Sequence, residues 1–153
     1  MDPVSGGGDA WASIPRAIAS LGGIGFLKPA PGSWGSLAVL PLALLPPWVA
    51  LLAAALFTAL GHWALTRLPE AAADPGWVVV DEAAGQSLAL AAATGWLGVL
   101  LAFLLFRLFD ITKPGPVGWA DRQKGPAGVM ADDIIAGAMA GLVILLLAPW
   151  GIR

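Results

Sequence analysis

The sequence has no cysteine, one histidine and few charged residues, and each shortage excludes a class of chemistry. Without cysteine the chain has no disulfide, no zinc–thiolate site and no thiol nucleophile. Charged residues make up 12% of the chain, against roughly 25% in an average soluble domain, and hydrophobic residues make up 58%. No basic run interleaved with aromatic residues predicts a nucleic-acid partner. The shortage of charge indicates that much of the chain is surrounded by lipid.

The length of 153 residues is enough for one domain. The first ten residues, MDPVSGGGDA, are polar, glycine-rich and acidic, and we expect a disordered tail at residues 1–10. They lack the basic start and apolar stretch of a secretory signal peptide, so none is predicted. Residues 11–153 are expected to form a single membrane-embedded domain. Its amphipathic start, residues 11–21, predicts a helix lying in the membrane interface.

Three uncharged stretches are candidate membrane helices, because each reaches the roughly 18–20 residues that a spanning helix needs. They are residues 37–60, 83–106 and 134–152. Two of them are interrupted near their middle, by Pro46-Pro47 and by Thr94-Gly95. Proline and glycine commonly end helices, and a tryptophan follows each pair, Trp48 and Trp96. Tryptophan prefers the membrane interface, whereas straight spans would place both tryptophans near the centre of the bilayer.

The breaks therefore predict an all-α, small multi-helix integral membrane protein with two helical hairpins, a C-terminal helix and the N-terminal interfacial helix. The predicted hairpins are 36–45 with 48–67 and 80–93 with 96–111, and the last helix runs from about 132 to 147. A hairpin arm of about 14 residues rises only about 21 Å, short of a roughly 30 Å hydrocarbon core. Some arms are therefore expected to be re-entrant or tilted.

The hairpins would bring the acidic residues to one level of the membrane. Glu82, Asp110 and the pair Asp132-Asp133 then lie together, whereas straight spans would put Glu82 and Asp110 at opposite ends of one helix. Seven of the eight basic residues fall at the same level as these acids, and only Arg153 falls at the other. By the positive-inside rule, the acidic level faces the cytoplasm.

Four short motifs carry residues suited to chemistry; the first leads into the first predicted hairpin, and the second forms the start of the second hairpin. Lys28 to Ser36, KPAPGSWGS, is a Pro/Gly loop whose backbone amides could approach a phosphate; a simple turn with Ser36 as a helix cap is about equally compatible. In VDEAAGQ, Asp81 and Glu82 precede a long apolar run. Their negative charges can interact favourably with the dipole at a helix N-terminus, but ionisable groups at membrane depth tend to be functional.

The other two motifs combine acids with basic residues or with each other. In FRLFDITKP, the residues Arg107, Asp110 and Lys113 recur every three residues and line one helical stripe, which suits a phosphate bridged to a metal or a simple ladder of ion pairs. In GVMADDIIAG, the adjacent Asp132 and Asp133 enter an apolar helix. Adjacent carboxylates repel each other, and a hard-metal site explains both better than a helix cap does.

The five acids predict an oxygen-ligated site for magnesium, manganese or calcium. A divalent ion can activate water and neutralise charge on a phosphoryl group, which permits phosphate ester hydrolysis without a covalent step. Phosphatase mechanisms with a covalent intermediate lack the residues that they need. His62 is the single histidine, and no Asp-x-Asp motif of the haloacid dehalogenase kind occurs. Asp121-Arg122 lies in a Gly/Pro-bounded loop, where it suits a phosphate contact or a solvated pair equally.

The motifs resemble those of the phosphatidylglycerophosphatase A family, in the family's order. Residues 29–36, PAPGSWGS, resemble its P-A-P-G-T-x-G-S signature, with Ser33 where threonine is common. The segments around Glu82, Asp110 and Asp132-Asp133 look like its other signatures, and the resemblance covers about residues 25–141. It implies an all-helical, magnesium-dependent enzyme of the bacterial inner membrane. The expected reaction converts phosphatidylglycerophosphate, a phospholipid substrate in the bilayer, to phosphatidylglycerol and phosphate.

The resemblance also suggests roles for the motif residues. We expect Glu82, Asp110, Asp132 and Asp133 to hold one or two magnesium ions, with Asp81 as a further ligand or as a base. The phosphate would be bound by basic side chains and by the amides of the Pro/Gly loop: Lys28, Arg107, Lys113, Gly32, Ser33, Gly35 and Ser36. An alternative from another class is a small membrane ion carrier or structural subunit with buried acids. A phosphatase for a different lipid is a third possibility, and the sequence does not indicate the oligomeric state.

Overall fold

The computed structural model describes residues 13–152, and these residues form helices and loops without a strand. Seven α-helices follow one another as α1 Ile14–Ala19, α2 Pro31–Ala38, α3 Pro47–Leu65, α4 Val80–Leu90, α5 Gly95–Thr112, α6 Pro116–Asp121 and α7 Pro126–Leu147. Short 3₁₀ turns lie at Ile24–Phe26, Leu40–Leu44, Pro69–Ala73 and Ala148–Trp150. The predicted all-α fold is confirmed.

Both predicted helix breaks are present, since α3 begins at Pro47 and α5 begins at Gly95. Proline is tolerated in the first turn because its missing N–H would have no partner there. Gly95 has φ +63°, a left-handed conformation that glycine adopts without a steric penalty. The two breaks therefore follow directly from the residue types at these positions.

The first hairpin arm differs from the predicted single helix over 36–45. Its α-helix begins earlier, at Pro31, and ends at Ala38, and a 3₁₀ turn continues to Leu44. Pro41 explains the change, because proline cannot donate to Leu37 and its ring would clash with that carbonyl. The last helix likewise begins at Pro126, where the preceding Gly125 has φ +88°, instead of at residue 132. Asp132 and Asp133 consequently lie inside α7, beyond the reach of a helix cap.

Three helices of the described chain are long and apolar enough to cross a membrane: α3, α5 and the segment 126–150 that contains α7. They have 19, 18 and 25 residues, and 19 residues rise about 28 Å. The 11 residues of α4 rise only about 16 Å, so α4 is too short to span. Two of the three, α3 and α5, start at the predicted breaks, and α4 is a short arm as the hairpin hypothesis expects.

Helix α4 lies at the centre of the bundle, packed against α2, α3, α5 and α7. All of its residues are buried except Glu82 and Leu88, which are partly exposed. Many large apolar side chains of α3, α5 and α7 instead point outward, where lipid would surround them. Small residues let helices approach closely in lipid, and Gly85 and Gly137 form such a contact between α4 and α7.

Replacing Gly137 with alanine is expected to destabilise the protein by about 1–3 kcal/mol, the usual range for overpacking. A Cβ atom at Gly137 would lie 2.1 Å from the carbonyl oxygen of Gly85, a backbone atom that cannot rotate away. The matched control is Gly141→Ala on the same helix, where the nearest atom would be the Ala92 Cβ at 3.6 Å. Thermal unfolding in detergent measures both variants, and equal melting temperatures would contradict the prediction.

The described part of the predicted interfacial helix is α1, which is capped by the Ser13 side chain. Arg16 ties it to the bundle, because its guanidinium lies over the Trp77 ring at 4.7 Å and donates to Glu70 Oε1 at 2.6 Å. Residues 11 and 12 of the predicted helix, and the whole predicted tail at 1–10, lie outside the described residues.

Candidate active site

The acidic residues meet where the start of α4, the end of α5 and the second turn of α7 come together. Arg107 on α5 contacts acids on both α4 and α5. Its Nη1 lies 3.7 Å from Glu82 Oε1 and also bonds to Asp110 Oδ2. The α4–α5 hairpin is therefore antiparallel, and Glu82 and Asp110 lie at one level as predicted. A single straight helix through both residues does not occur.

Three of the acids form a compact group: Asp81, Glu82 and Asp133. One carboxylate oxygen from each residue lies within 4.8 Å of the others. Asp81 is 5% exposed and Asp133 is 2% exposed, and Glu82 Oε2 is buried without a hydrogen-bond partner in the described protein. Three carboxylates this close together, two of them buried and one partly exposed, repel one another unless a cation or protons intervene. The group offers only oxygen donors, so it fits magnesium, manganese or calcium better than zinc or copper.

Three other acids are instead gathered around an ammonium group. Lys113 Nζ bonds to Asp132 Oδ2 and lies 3.4 Å from both Asp110 Oδ1 and Asp121 Oδ1. Burial acts to lower the pKa of Lys113, but the hydrogen bond and the charges of Asp132 and Asp110 outweigh it and raise that pKa above its usual value. Lys113 is therefore a fixed positive charge beside the carboxylate group.

The predicted ligand set is thus divided between two neighbouring centres. Glu82 and Asp133 lie in the carboxylate group together with Asp81, whereas Asp110 and Asp132 have Arg107 and Lys113 as partners. Local spacing in the sequence does not reveal this division, since Lys113 and Asp132 are 19 residues apart.

The Pro/Gly loop closes over the acids at Gly32. A Cβ atom there would lie 2.2 Å from Glu82 Oε1 and 3.1 Å from Arg107 Nη1, so only glycine leaves this space open. Helix α2 begins at Pro31, and the first-turn amides of Gly32 and Ser33 have no partner one turn earlier in the helix. Such amides favour an anion, which agrees with the predicted phosphate contact.

The remaining predicted loop residues take other positions. Ser36 is buried, and its Oγ donates to the Gly32 carbonyl oxygen at 3.0 Å, so its hydroxyl braces the loop. Gly35 packs against Val79, where a Cβ atom would lie 2.9 Å from the valine Cβ. Lys28 is exposed and forms no ion pair within residues 13–152. The structure does not bring Lys28, Gly35 or the Ser36 hydroxyl into contact with the acids.

Two residues near the site are not among the sequence-predicted ones. Gln86 lies one turn beyond Glu82 on α4 and is fully buried, and neither atom of its amide group bonds to a described protein group. Its spacing from Glu82 is the signal that could have found it. Asp74 lies in the loop before α4, beside a cavity that reaches Asp132. A lone aspartate in a loop gives no such signal.

Comparisons with known proteins agree with the four motifs. The model of the family Phosphatidylglycerophosphatase A matches residues 17–148. A Haemophilus influenzae protein named Phosphatidylglycerophosphatase A is 38% identical over 138 residues, covering 84% of this chain and 85% of that protein. The Escherichia coli protein of the same name is 34% identical over 151 residues, covering 90% and 87%.

A Bacteroides thetaiotaomicron protein, provisionally named a phosphatidylinositol-3-phosphatase, is 38% identical over 152 residues, covering 90% of this chain and 94% of that protein. No solved structure matches the chain. The family model spans every motif that contributes to the two charged centres, and both relatives named for the family align with most of this sequence. The chain belongs to the phosphatidylglycerophosphatase A family.

Proposed function

We propose that this protein is a lipid phosphatase that hydrolyses phosphatidylglycerophosphate to phosphatidylglycerol and inorganic phosphate with the help of magnesium. The family and the names of two relatives support the reaction. The observation that carries the proposal is the pairing of two centres: a group of three carboxylates lies next to two fixed cations. Metal-assisted hydrolysis of a phosphate monoester uses both kinds of partner, carboxylates for the metal and cations for the phosphate. We place the site at the cytoplasmic face of a bacterial inner membrane, because the basic residues gather at its level.

The cationic side chains and the loop amides would bind the phosphate. Arg107 is held in place by Asp110 and Glu82, and its buried Nε has no partner in the described protein, so it can donate to a phosphate oxygen. Guanidinium groups match phosphate geometry well. Lys113 supplies a second charge, and the amides of Gly32 and Ser33 supply neutral donors at a helix N-terminus. Asp110 and Asp132 would then orient Arg107 and Lys113.

The carboxylates of Asp81, Glu82 and Asp133 would hold the magnesium ion. When bound, the ion would supply charge neutralisation at the phosphoryl group and activation of a water molecule. Phosphoryl transfer depends mainly on positioning and electrostatic stabilisation, and the fixed groups around the acids provide both. The lipid's acyl chains would stay in the bilayer while the head group reaches the ends of α4 and α5. Asp110 and Asp132 as additional magnesium ligands stay a prediction.

Phosphate release from phosphatidylglycerophosphate tests the proposal. The purified protein in detergent is given this lipid with magnesium, and in parallel with a chelator. We expect steady release with magnesium and at least about a hundredfold less with the chelator, because the three carboxylates then lack their cation. No release from the lipid would overturn the proposed reaction and favour the ion-carrier alternative. Release that does not depend on magnesium would leave the reaction standing and overturn the proposed metal site.

A further inference from the structure

A polar cavity of about 220 Å³ lies beside the charged centres. Its walls are the loop before α4, the loop between α6 and α7, and the first two turns of α7. The side chains that give it its polar character are Asp74, Asp121, Gln123, Lys124 and Asp132. Asp132 also bonds to Lys113, so the cavity and the proposed phosphate site share a wall. A group attached to a phosphate at Lys113 can therefore extend into this cavity.

The lining of the cavity suits hydroxyl groups. Asp121 Oδ1 lies 3.4 Å from Lys113 Nζ. The Gln123 Nε2 donates to the Trp119 carbonyl at 3.1 Å, which leaves the amide oxygen of Gln123 as an acceptor. Asp74 forms no ion pair among residues 13–152. Its side chain is exposed to solvent, so its carboxylate is accessible to a ligand in the cavity. Carboxylates and amide oxygens accept hydrogen bonds from alcohols.

Other cavities in the described part of the chain have a different character. One between α1 and α3 is lined by apolar residues such as Ile14, Ile18 and Phe57, and one between α4 and α7 by Leu88, Ala92 and neighbouring side chains. These surfaces suit acyl chains. A hydroxylated segment placed there would lose its hydrogen bonds to water without replacement, at a cost of about 1–3 kcal/mol for each group.

We propose that the polar cavity is the subsite for the hydroxylated linker between the scissile phosphate and the lipid, and that Asp74 and Gln123 are specificity-determining residues. The inference rests on the proposed function and names the part of the substrate that the enzyme selects. In phosphatidylglycerophosphate the linker is a glycerol unit with one free hydroxyl, followed by an anionic phosphodiester. The hydroxyl bonds to Asp74 and Gln123, and Lys124 faces the phosphodiester; all three side chains line the cavity and are exposed to solvent. The names of the relatives contain polyol head groups, glycerol and inositol, which fits a hydroxyl-selecting subsite.

A pair of lipids that differ by one hydroxyl tests the subsite. One is phosphatidylglycerophosphate, and the other has a propane-1,3-diol linker in place of glycerol. We expect the wild-type kcat/KM for the glycerol lipid to be about tenfold higher, the usual value of a hydrogen bond to a charged group. Asp74→Gly should reduce this ratio to about one, mainly through a higher KM for the glycerol lipid. Glycine is the suitable replacement because Asp74 has φ +50°, so the carboxylate is removed without backbone strain.

The matched control is Glu70→Gln in the adjacent turn, since Glu70 is an exposed acid that bonds to Arg16 and does not line the cavity. This variant should keep the tenfold ratio, and Asp74→Asn, which keeps an acceptor oxygen, should show an intermediate one. A wild-type ratio near one, or an unchanged ratio in Asp74→Gly, would overturn the subsite while phosphate release still supported the proposed function. A wild-type protein that releases phosphate from neither lipid would instead refute the proposed function, and the subsite with it.

Discussion

Replacing Asp133 with asparagine is expected to lower phosphate release more than about a hundredfold while the protein stays folded. Asp133 is 2% exposed, and one of its oxygens lies within 4.8 Å of those of Asp81 and Glu82. Asparagine has the same shape but no charge, so the group loses one of its three anionic ligands. Removing a negative charge from a repulsive buried group does not destabilise the fold, and we expect an unchanged or higher melting temperature.

The measurement is the rate of magnesium-dependent phosphate release, taken together with thermal unfolding of the same sample. Glu70→Gln serves as the control, because it also removes one carboxylate but from an exposed ion pair away from the acids. It should retain the wild-type rate. Full activity in Asp133→Asn would show that Asp133 does not hold the cation.

Replacing Gly32 with alanine is the second change with a large expected effect, a loss of activity of about a hundredfold with little change in stability. The added Cβ atom would lie 2.2 Å from Glu82 Oε1 and 3.0 Å from its Cδ. These atoms form the end of a flexible side chain, so Glu82 would move aside and the helix would keep its fold. The displaced carboxylate would then leave Asp81 and Asp133, and the new methyl group would occupy space beside Arg107.

Gly76→Ala is the matched control for this change, because a Cβ atom there has no heavy atom within 4 Å and the backbone does not require glycine. Phosphate release and melting temperature are measured for both variants. Equal activity in Gly32→Ala and Gly76→Ala would mean that the close approach of Gly32 to Glu82 is not needed for the reaction. A large fall in melting temperature for Gly32→Ala would show that its role is structural.

The helix breaks and the convergence of the acids could be predicted from the sequence, because both follow from local rules. Pro46-Pro47 ends a helix in nearly any context and a glycine such as Gly95 commonly does, so these two breaks turn apparent spans into antiparallel arms. An antiparallel α4–α5 pair necessarily brings Glu82 near Asp110. The start of α2 at Pro31 was less predictable, since the loop KPAPGSWGS is rich in residues that usually occur outside helices.

The partners of each acid could not be predicted, because they depend on how far individual side chains reach in three dimensions. Lys113 follows the last residue of α5 in a left-handed conformation, φ +49°, and from there its ammonium group reaches Asp132 on α7. Periodicity alone relates Lys113 to Asp110, three residues earlier, and gives no information about α7. Asp74 enters the site in the same way, through a loop whose path no spacing rule describes.

The convergence of Asp81, Glu82 and Asp133 on one divalent cation is tested most directly by manganese binding, measured by electron paramagnetic resonance on the purified protein in detergent. Manganese prefers the same oxygen ligands as magnesium and can be detected without turnover. The geometry predicts a bound ion that magnesium displaces, and at least about tenfold weaker binding in Asp133→Asn than in Glu70→Gln. Equal manganese affinity in these two variants, or no binding by the wild-type protein, would contradict it.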